Sequence, residues 1–259
     1  MMAKISLPKN SRFTKGNYYK LDNPKNLKKI NIYRWNPDKK TNPTIDTFEV
    51  DLDKCGQMVL DALILIKDEI DSSLTFRRSC REGVCGSCSM NIDGRNTLAC
   101  QKSLKDSSGD INIFPLTHLP VIKDLVVDLS KAFKQLEFIE PWLQSNLGKP
   151  TKNEQIQSLK NRSEIDGLWE CILCFCCTTS CVSYWWNEDQ YLGPAALLQA
   201  SRWVNDSRDT EKKKRLKIIE EKSNIHNCHS ILNCASSCPK GLNPGKSIAN
   251  LRKQIATNI

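Results

Sequence analysis

Apolar and polar residues alternate along several short stretches of the first half of the chain. Ile30 and Ile32 alternate with polar neighbours, and so do Phe48, Val50 and Leu52; the turn Asn36-Pro37-Asp38 between them predicts an antiparallel pair of strands. From Val59 to Ile70 the apolar spacing becomes helical. Residues 89–92 and 97–99 flank Asp93-Gly94, a dipeptide suited to a tight hairpin because such turns need positive φ. Residues 110–114 alternate once more, and Pro115 stops them. Strands, one crossing helix and a loop dense in Gly and Cys predict a small β-grasp-like domain ending near residue 130.

After Val121 the pattern changes. Leu125, Leu129, Phe133 and Leu136 recur at i, i+4, i+8 and i+11, one face of a predicted helix. Residues 144–162 are polar and read as a connector. Residues 194–204 open with a proline in the first helical turn, 210–221 form a charged helical pattern, and 244–255 a final one. The second half is therefore expected to be helical, with cysteine-bearing loops between helices. No long internal repeat is visible, although the two cysteine runs of this half are related to each other.

Charge and cysteine content change the picture. The 259 residues are enough for one or two domains with real cores. The formal charge is +9, and the first forty residues hold eleven basic side chains against two acidic ones, leaving the rest balanced. Residues 1–27 therefore read as a basic arm lying on an acidic partner surface; a cleavable presequence and binding to membrane headgroups are the alternatives. A basic arm on a neutral body argues against nucleic-acid binding. No apolar run reaches the roughly 18 residues a membrane span needs, so work at a membrane would go through partners. Thirteen cysteines, an odd number held mostly in tight clusters without a secretory leader, argue against a disulfide framework and point to metal or cluster ligation in a reducing compartment.

Cys80, Cys85, Cys88 and Cys100 read C-x4-C-x2-C-x11-C, and the first three carry the plant-type [2Fe–2S] spacing. Gly83 and Gly86 lack a Cβ, which lets backbone N–H groups approach the sulfurs. A structural zinc site prefers paired C-x2-C knuckles, which C-x4-C fits poorly. Cys171, Cys174, Cys177 and Cys181 read C-x2-C-x2-C-x3-C, the bacterial ferredoxin run whose fourth cysteine ligates the other cluster. The partner run is Cys228, Cys234 and Cys238 followed by Pro239, with Ile231 where its second cysteine would stand. Cross-ligation then gives Cys171, Cys174, Cys177 and Cys238 to a [4Fe–4S] cluster. Cys181, Cys228 and Cys234 supply only three thiolates, which suits [3Fe–4S]. Cys176 and Cys55 read as small buried hydrophobes. The expected class is α+β, with a basic arm over 1–27, a plant-type [2Fe–2S] ferredoxin-like domain over 28–130 and a helical [4Fe–4S]/[3Fe–4S] bacterial-ferredoxin-like domain over 131–259.

At these motifs the chain closely resembles the iron–sulfur subunits of succinate dehydrogenase, respiratory complex II. The matching segments are SCREGVCGSC (79–88), residues 96–100, ECILC (170–174), YWWN (184–187), LGPA (192–195), DSRD (206–209) and CPKGLNP (238–244), within a resemblance running from about residue 28 to the C-terminus. The resemblance implies a flavoprotein partner that oxidises succinate at covalently bound FAD. Electrons then pass through [2Fe–2S], [4Fe–4S] and [3Fe–4S] to ubiquinone. It also implies membrane anchor subunits, with or without haem b, and a peripheral position on the matrix face of a mitochondrial inner membrane or the cytoplasmic face of a bacterial one. Carried over residue by residue, Trp185, Trp186, His229 and Ile231 line the quinone pocket, with the Trp186 indole as hydrogen-bond donor. Plain packing is the other reading of the two tryptophans, and a structural role that of His229. Family members usually have proline where Val182 stands, which puts the detailed shape of that pocket in question. A fumarate reductase subunit and a free-standing ferredoxin-like carrier are the competing functions; the three-cluster wire and Trp185-Trp186 argue against the carrier.

Overall fold

The computed structural model describes residues 12–39, 41–145 and 155–257. The chain divides into two compact units, residues 1–128 and 129–259. In the first, strands β1 (Thr14–Tyr19), β2 (Leu27–Arg34), β3 (Thr44–Asp51), β4 (Ser89–Ile92), β5 (Arg95–Leu98) and β6 (Ile111–Phe114) form one sheet in the order β1-β3-β2-β6-β4-β5. β2 and β3 pair antiparallel, as their alternation predicts, and β2 pairs parallel with β6. The register sets Phe48 beside Ile30 and Ile30 beside Ile111, all fully buried, so one face of the sheet is a continuous apolar layer. Helix α1 (Val59–Leu65), continued by a π-turn over Ile66–Ile70, buries Val59, Leu60, Ala62, Leu63 and Ile66.

Two expectations give way here. Residues 14–19, inside the stretch read as an arm, form β1 and pair parallel with β3. Asn17 N–H donates to Asp46 (2.9 Å), the Tyr18 hydroxyl bonds Glu49, and Asp51 accepts the amides of Lys25 and Asn26 (3.1 Å each). The polar look of this strand reflects an edge position whose acidic partners lie on its own sheet. The basic residues Lys4 and Lys9 lie outside the described residues. The predicted helix from Leu125 is the second correction. Residues 121–127 form the hairpin β7 (Val121–Lys123) and β8 (Val126–Val127). Asp124 at its turn has φ +45° and is 2 % exposed; its carboxylate binds Arg34 Nε (3.2 Å) and the amides of Trp35 and Thr75 (3.0 Å each). Leu125 is buried by that turn, so its helical spacing from Leu129 is coincidental. The Arg34 guanidinium also meets Asp46 and Asp71, tying β2 to the segment that leads into the first cysteine loop.

The second unit is helical: α2 (Ser130–Phe138), α3 (Leu159–Ser163), α4 (Cys176–Thr179), α5 (Val182–Asn187), α6 (Gly193–Asn205), α7 (Lys212–Lys222), α8 (Asn233–Ser236) and α9 (Pro244–Thr257). Part of the predicted connector lies outside the described residues, and its end is α3, capped by the Ser158 hydroxyl accepting from the Asn161 amide (3.1 Å). α6 is almost wholly buried and is the axis of the unit. It begins at Gly193 with φ +78°, where an added Cβ would come within 2.9 Å of Tyr184 and 3.0 Å of Thr178. A glycine is needed for that approach. Arg215, 3 % exposed at its side chain, pairs with buried Asp209 (2.8 Å) and donates to the carbonyls of Ile139, Glu140 and Trp142. No helix among the described residues is long and apolar enough to cross a membrane.

Candidate metal centres

The β4–β5 hairpin explains the spacing of the first cysteine group. Ser89 pairs with Leu98, so Cys88 enters and Cys100 leaves the same end of a hairpin whose Asp93-Gly94 turn has both residues at positive φ. Both cysteines are nearly buried, while Cys85 is exposed at the loop tip. The loop turns through positive φ at Arg81, Gly83 and Gly86. A Cβ on Gly83 would strike the Gln101 side chain at 2.1 Å. This winding aims the amides of Glu82, Val84 and Cys85 at Cys80 Sγ (3.5, 3.4 and 3.4 Å), and Arg81 ion-pairs with Asp61 of α1. Amides pointed at a sulfur favour the thiolate and the added charge of a reduced cluster.

The two later cysteine runs share one backbone. Each is preceded by a 3₁₀ turn, Leu168–Glu170 or Ile225–Asn227, entered through a left-handed residue, Gly167 (φ +77°) or Asn224 (φ +43°). Two residues after the first cysteine stand Leu173 (φ +53°) and Ser230 (φ +56°); four after it stand Phe175 (φ +59°) and Leu232 (φ +65°). A one-turn helix follows, α4 or α8, and the last cysteine comes ten residues after the first in both runs. The match places Ile231 in register with Cys174. The Ser237 hydroxyl donates to the Cys176 carbonyl (3.3 Å), and Phe175, Cys177, Ala195 and Cys234 pack in one buried cluster.

Sulfurs from different runs come together. One cavity is lined by Cys171, Cys174, Cys177 and Cys238, closed by the apolar side chains of Phe175, Ala195, Leu198 and Leu242. The Leu242 amide donates to Cys238 Sγ (3.3 Å). Cys181, Cys228 and Cys234 are electrostatic neighbours of one another, and Cys181 and Cys228 pack against the main apolar core. Among the described residues no three His, Cys, Asp or Glu side chains converge on a single ion position. The four sulfurs of Cys171, Cys174, Cys177 and Cys238 are instead spaced around a cavity, an arrangement with room for a cluster. Burial holds the thiols of Cys177 and Cys234 up, the latter to about 11. At Cys85 burial also acts upward, but bonds from Ser87 and the loop outweigh it and bring the thiol down to about 6. Loading iron must therefore expel protons from the buried ligands. Cys176 is fully buried, and Cys55 half-buried.

The four residues assigned to a quinone pocket lie on segments flanking the three-sulfur group. Trp186, just after Cys181, is 80 % exposed, and Ile231 is 55 % exposed beside Leu232 at 49 %; His229 is also exposed. Packing is thus not the role of Trp186 within this unit. Trp185 differs, since its indole N–H donates to the Thr179 carbonyl (2.8 Å) and holds the entry of α5. Tyr191 is one residue the sequence reading missed: it is fully buried among the apolar residues against which Cys181 and Cys228 pack. Its position before the α6 turn carries no cysteine-type signal in the sequence.

Residues 29–134 match the family model of a 2Fe-2S iron-sulfur cluster binding domain, and residues 170–243 that of a 4Fe-4S dicluster domain. A succinate dehydrogenase iron-sulfur subunit of Paracoccus denitrificans is 52% identical over 259 residues, which is 100% of both chains. The chain belongs to the family of succinate dehydrogenase iron–sulfur subunits. A chain of the Mycobacterium smegmatis Sdh1 complex in the apo form shares the fold, with a TM-score of 0.80 at 22% identity over 90% of this chain and 97% of that one. A hypothetical protein from Helicobacter pylori aligns at TM-score 0.54 and 17% identity, over 88% of this chain and 39% of its own. As a succinate dehydrogenase iron–sulfur subunit, the chain carries electrons through iron–sulfur clusters as part of a larger complex, and the free-standing carrier is set aside. Two family motifs take on structural roles. In DSRD, Asp206 binds Arg208 (2.7 Å) and Asp209 binds Arg215. Val182, in place of the family's proline, is the first residue of α5. Proline suits that position because the first amide of a helix has no intrahelical acceptor, and valine occupies it as the first helical residue.

Proposed function

We propose that Cys80, Cys85, Cys88 and Cys100 hold a [2Fe–2S] cluster in the first unit, Cys171, Cys174, Cys177 and Cys238 a [4Fe–4S] cluster in the second, and Cys181, Cys228 and Cys234 a [3Fe–4S] cluster. When bound, these clusters relay single electrons from the FAD of a flavoprotein partner to ubiquinone. The observation that carries the reading is the shared backbone of the two runs, in which Ile231 occupies the register of Cys174. An apolar side chain cannot ligate iron, so that site keeps three thiolates and a higher potential than a four-thiolate cubane, which suits a quinone acceptor. The exposed Trp186 and Ile231 beside it are the surface offered to the quinone, with Trp186 N–H as donor and His229 at the rim. Membrane anchor subunits, with or without haem b, close that surface. They hold the chain peripherally on a respiratory membrane, at the mitochondrial matrix face or the bacterial cytoplasmic face.

Electron paramagnetic resonance of the purified complex tests this assignment. Two reduced-state signals and one oxidised-state three-iron signal are expected. Cys85→Ser should remove the [2Fe–2S] signal and quinone reduction together, while succinate oxidation with a flavin-level acceptor persists. Full quinone reductase activity without that signal, or no three-iron signal in the unmodified complex, would overturn it.

A further inference from the structure

Buried hydroxyls in proteins are almost always hydrogen-bonded, because an unpaired one costs about 1–3 kcal/mol. In the second unit two large tyrosines are fully buried, Tyr184 and Tyr191. The Tyr184 hydroxyl meets Gln135 Oε1 at 2.8 Å. The Tyr191 hydroxyl has no hydrogen-bond partner among the described residues. Tyr191 belongs to an apolar cluster that includes Leu192 ahead of α6, Leu197 of α6, Leu216 of α7, and Ile248 and Leu251 of α9. The polar atoms beside it are sulfurs: Cys181, Cys228 and Cys234 are its electrostatic neighbours, and Cys228 is the one its hydroxyl faces. Such a donor, wholly removed from water and set beside three cysteines, is satisfied only when one of those sulfurs becomes a strong acceptor. A protonated thiol is a weak acceptor, and an iron-bound thiolate a far better one.

We propose that the Tyr191 hydroxyl donates a hydrogen bond to the thiolate of Cys228 when the three-cysteine site is loaded, and so raises the reduction potential of that site. The inference rests on the proposed ligation by Cys181, Cys228 and Cys234. Reduction adds negative charge to the cluster and its ligand sulfurs, and a donor aimed at a ligand sulfur stabilises the reduced state more than the oxidised one. Burial of the tyrosine strengthens the effect, since no water competes for its hydroxyl. Tyr191 acts through the sulfur of Cys228 and is a positioning residue; it is fully buried, whereas Trp186 and Ile231 are exposed.

The test is a redox titration of the three clusters in the intact complex, read by electron paramagnetic resonance. Tyr191→Phe keeps the ring and removes only the hydroxyl. The reduced-to-oxidised ratio of the three-iron cluster at a fixed potential should fall about tenfold, a downward shift of about 59 mV for a one-electron couple. The other two midpoints should stay where they are. An unmoved three-iron midpoint at full occupancy would overturn the proposal, as would an equal shift in all three clusters. If the phenylalanine variant does not retain the cluster, a ring-fluorinated tyrosine placed at position 191 provides the second reading. Its hydroxyl is a stronger donor, so the midpoint should rise, and no rise would overturn the proposal. Absence of any oxidised-state three-iron signal in the unmodified complex would instead refute the ligation on which the inference rests.

Discussion

The two cysteine runs of the second unit pass through the same sequence of conformations, from the 3₁₀ turn through two left-handed residues into a one-turn helix. They differ at one side chain in the ligand register, Cys174 against Ile231, and in how that position is presented: Cys174 lines a cavity with three other sulfurs, while Ile231 stands 55 % exposed. The backbone makes a pair of equivalent cradles, and on the proposed ligation a single residue sets how many thiolates each receives. It also shows where the asymmetry leads. The cradle with Ile231 in the ligand register is the one flanked by exposed Trp186, Ile231 and Leu232, whereas the four-sulfur cavity is closed by Phe175, Leu198 and Leu242.

The strongest way to break the asymmetry is to impose the poorer ligand set on both runs. Cys174→Ile should eliminate the reduced-state [4Fe–4S] signal and with it nearly all quinone reduction; retention of that signal at full intensity would show that Cys174 is not a ligand. The converse, Ile231→Cys, should convert part of the three-iron population to [4Fe–4S]. The oxidised-state signal would then decline and quinone reduction slow as the last step loses driving force. Spectra identical to the unmodified complex would mean that position 231 does not face the cluster.

A smaller effect sharpens the functional side of the comparison. Trp186→Leu should weaken quinone binding roughly 10-fold, the worth of one hydrogen bond of about 1–2 kcal/mol. Because Trp186 is 80 % exposed, the same change should move the unfolding free energy by no more than about 0.5 kcal/mol. Steady-state kinetics with a soluble quinone, paired with thermal unfolding, separates the two; an unchanged quinone KM would remove Trp186 from the site. The smallest effect tests the shared backbone itself. Ser230 is exposed at φ +56°, a conformation that costs an L-residue about 1 kcal/mol and glycine almost nothing. Ser230→Gly should therefore stabilise the complex by about 0.5–1 kcal/mol with all clusters retained, and a fall in melting temperature would contradict the conformation described.

Much of this was legible in sequence because the chemistry is local. Iron ligation needs cysteines at spacings a short loop can present, so the cysteine runs, the isoleucine at position 231 and the hairpin around Asp93-Gly94 could be read from near neighbours in the chain. The alternation of Ile30, Ile32, Phe48 and Val50 announced its strands for a similar reason: one face of each was to be buried. The reading failed where distant residues decide. Residues 14–19 carry no apolar stripe, and they become a strand only because β3 offers Asp46 and Glu49 across the edge. Leu125 looked helical until Asp124, held by Arg34, Trp35 and Thr75, turned the chain there.

Sequence alone thus determined which residues could be ligands and the family to which the chain belongs, and it supplied the proposed division into groups, because spacing and residue chemistry are properties of the chain. Tertiary structure decided what surrounds them. It brought Cys238 to the cavity of Cys171, Cys174 and Cys177, left Trp186 in solvent while tying Trp185 to Thr179, and buried the Tyr191 hydroxyl beside Cys228 with no hydrogen-bond partner among the described residues. Exposure and hydrogen-bond satisfaction are set by packing between segments far apart in sequence. No local pattern encodes them, and they are what separates one cradle from the other.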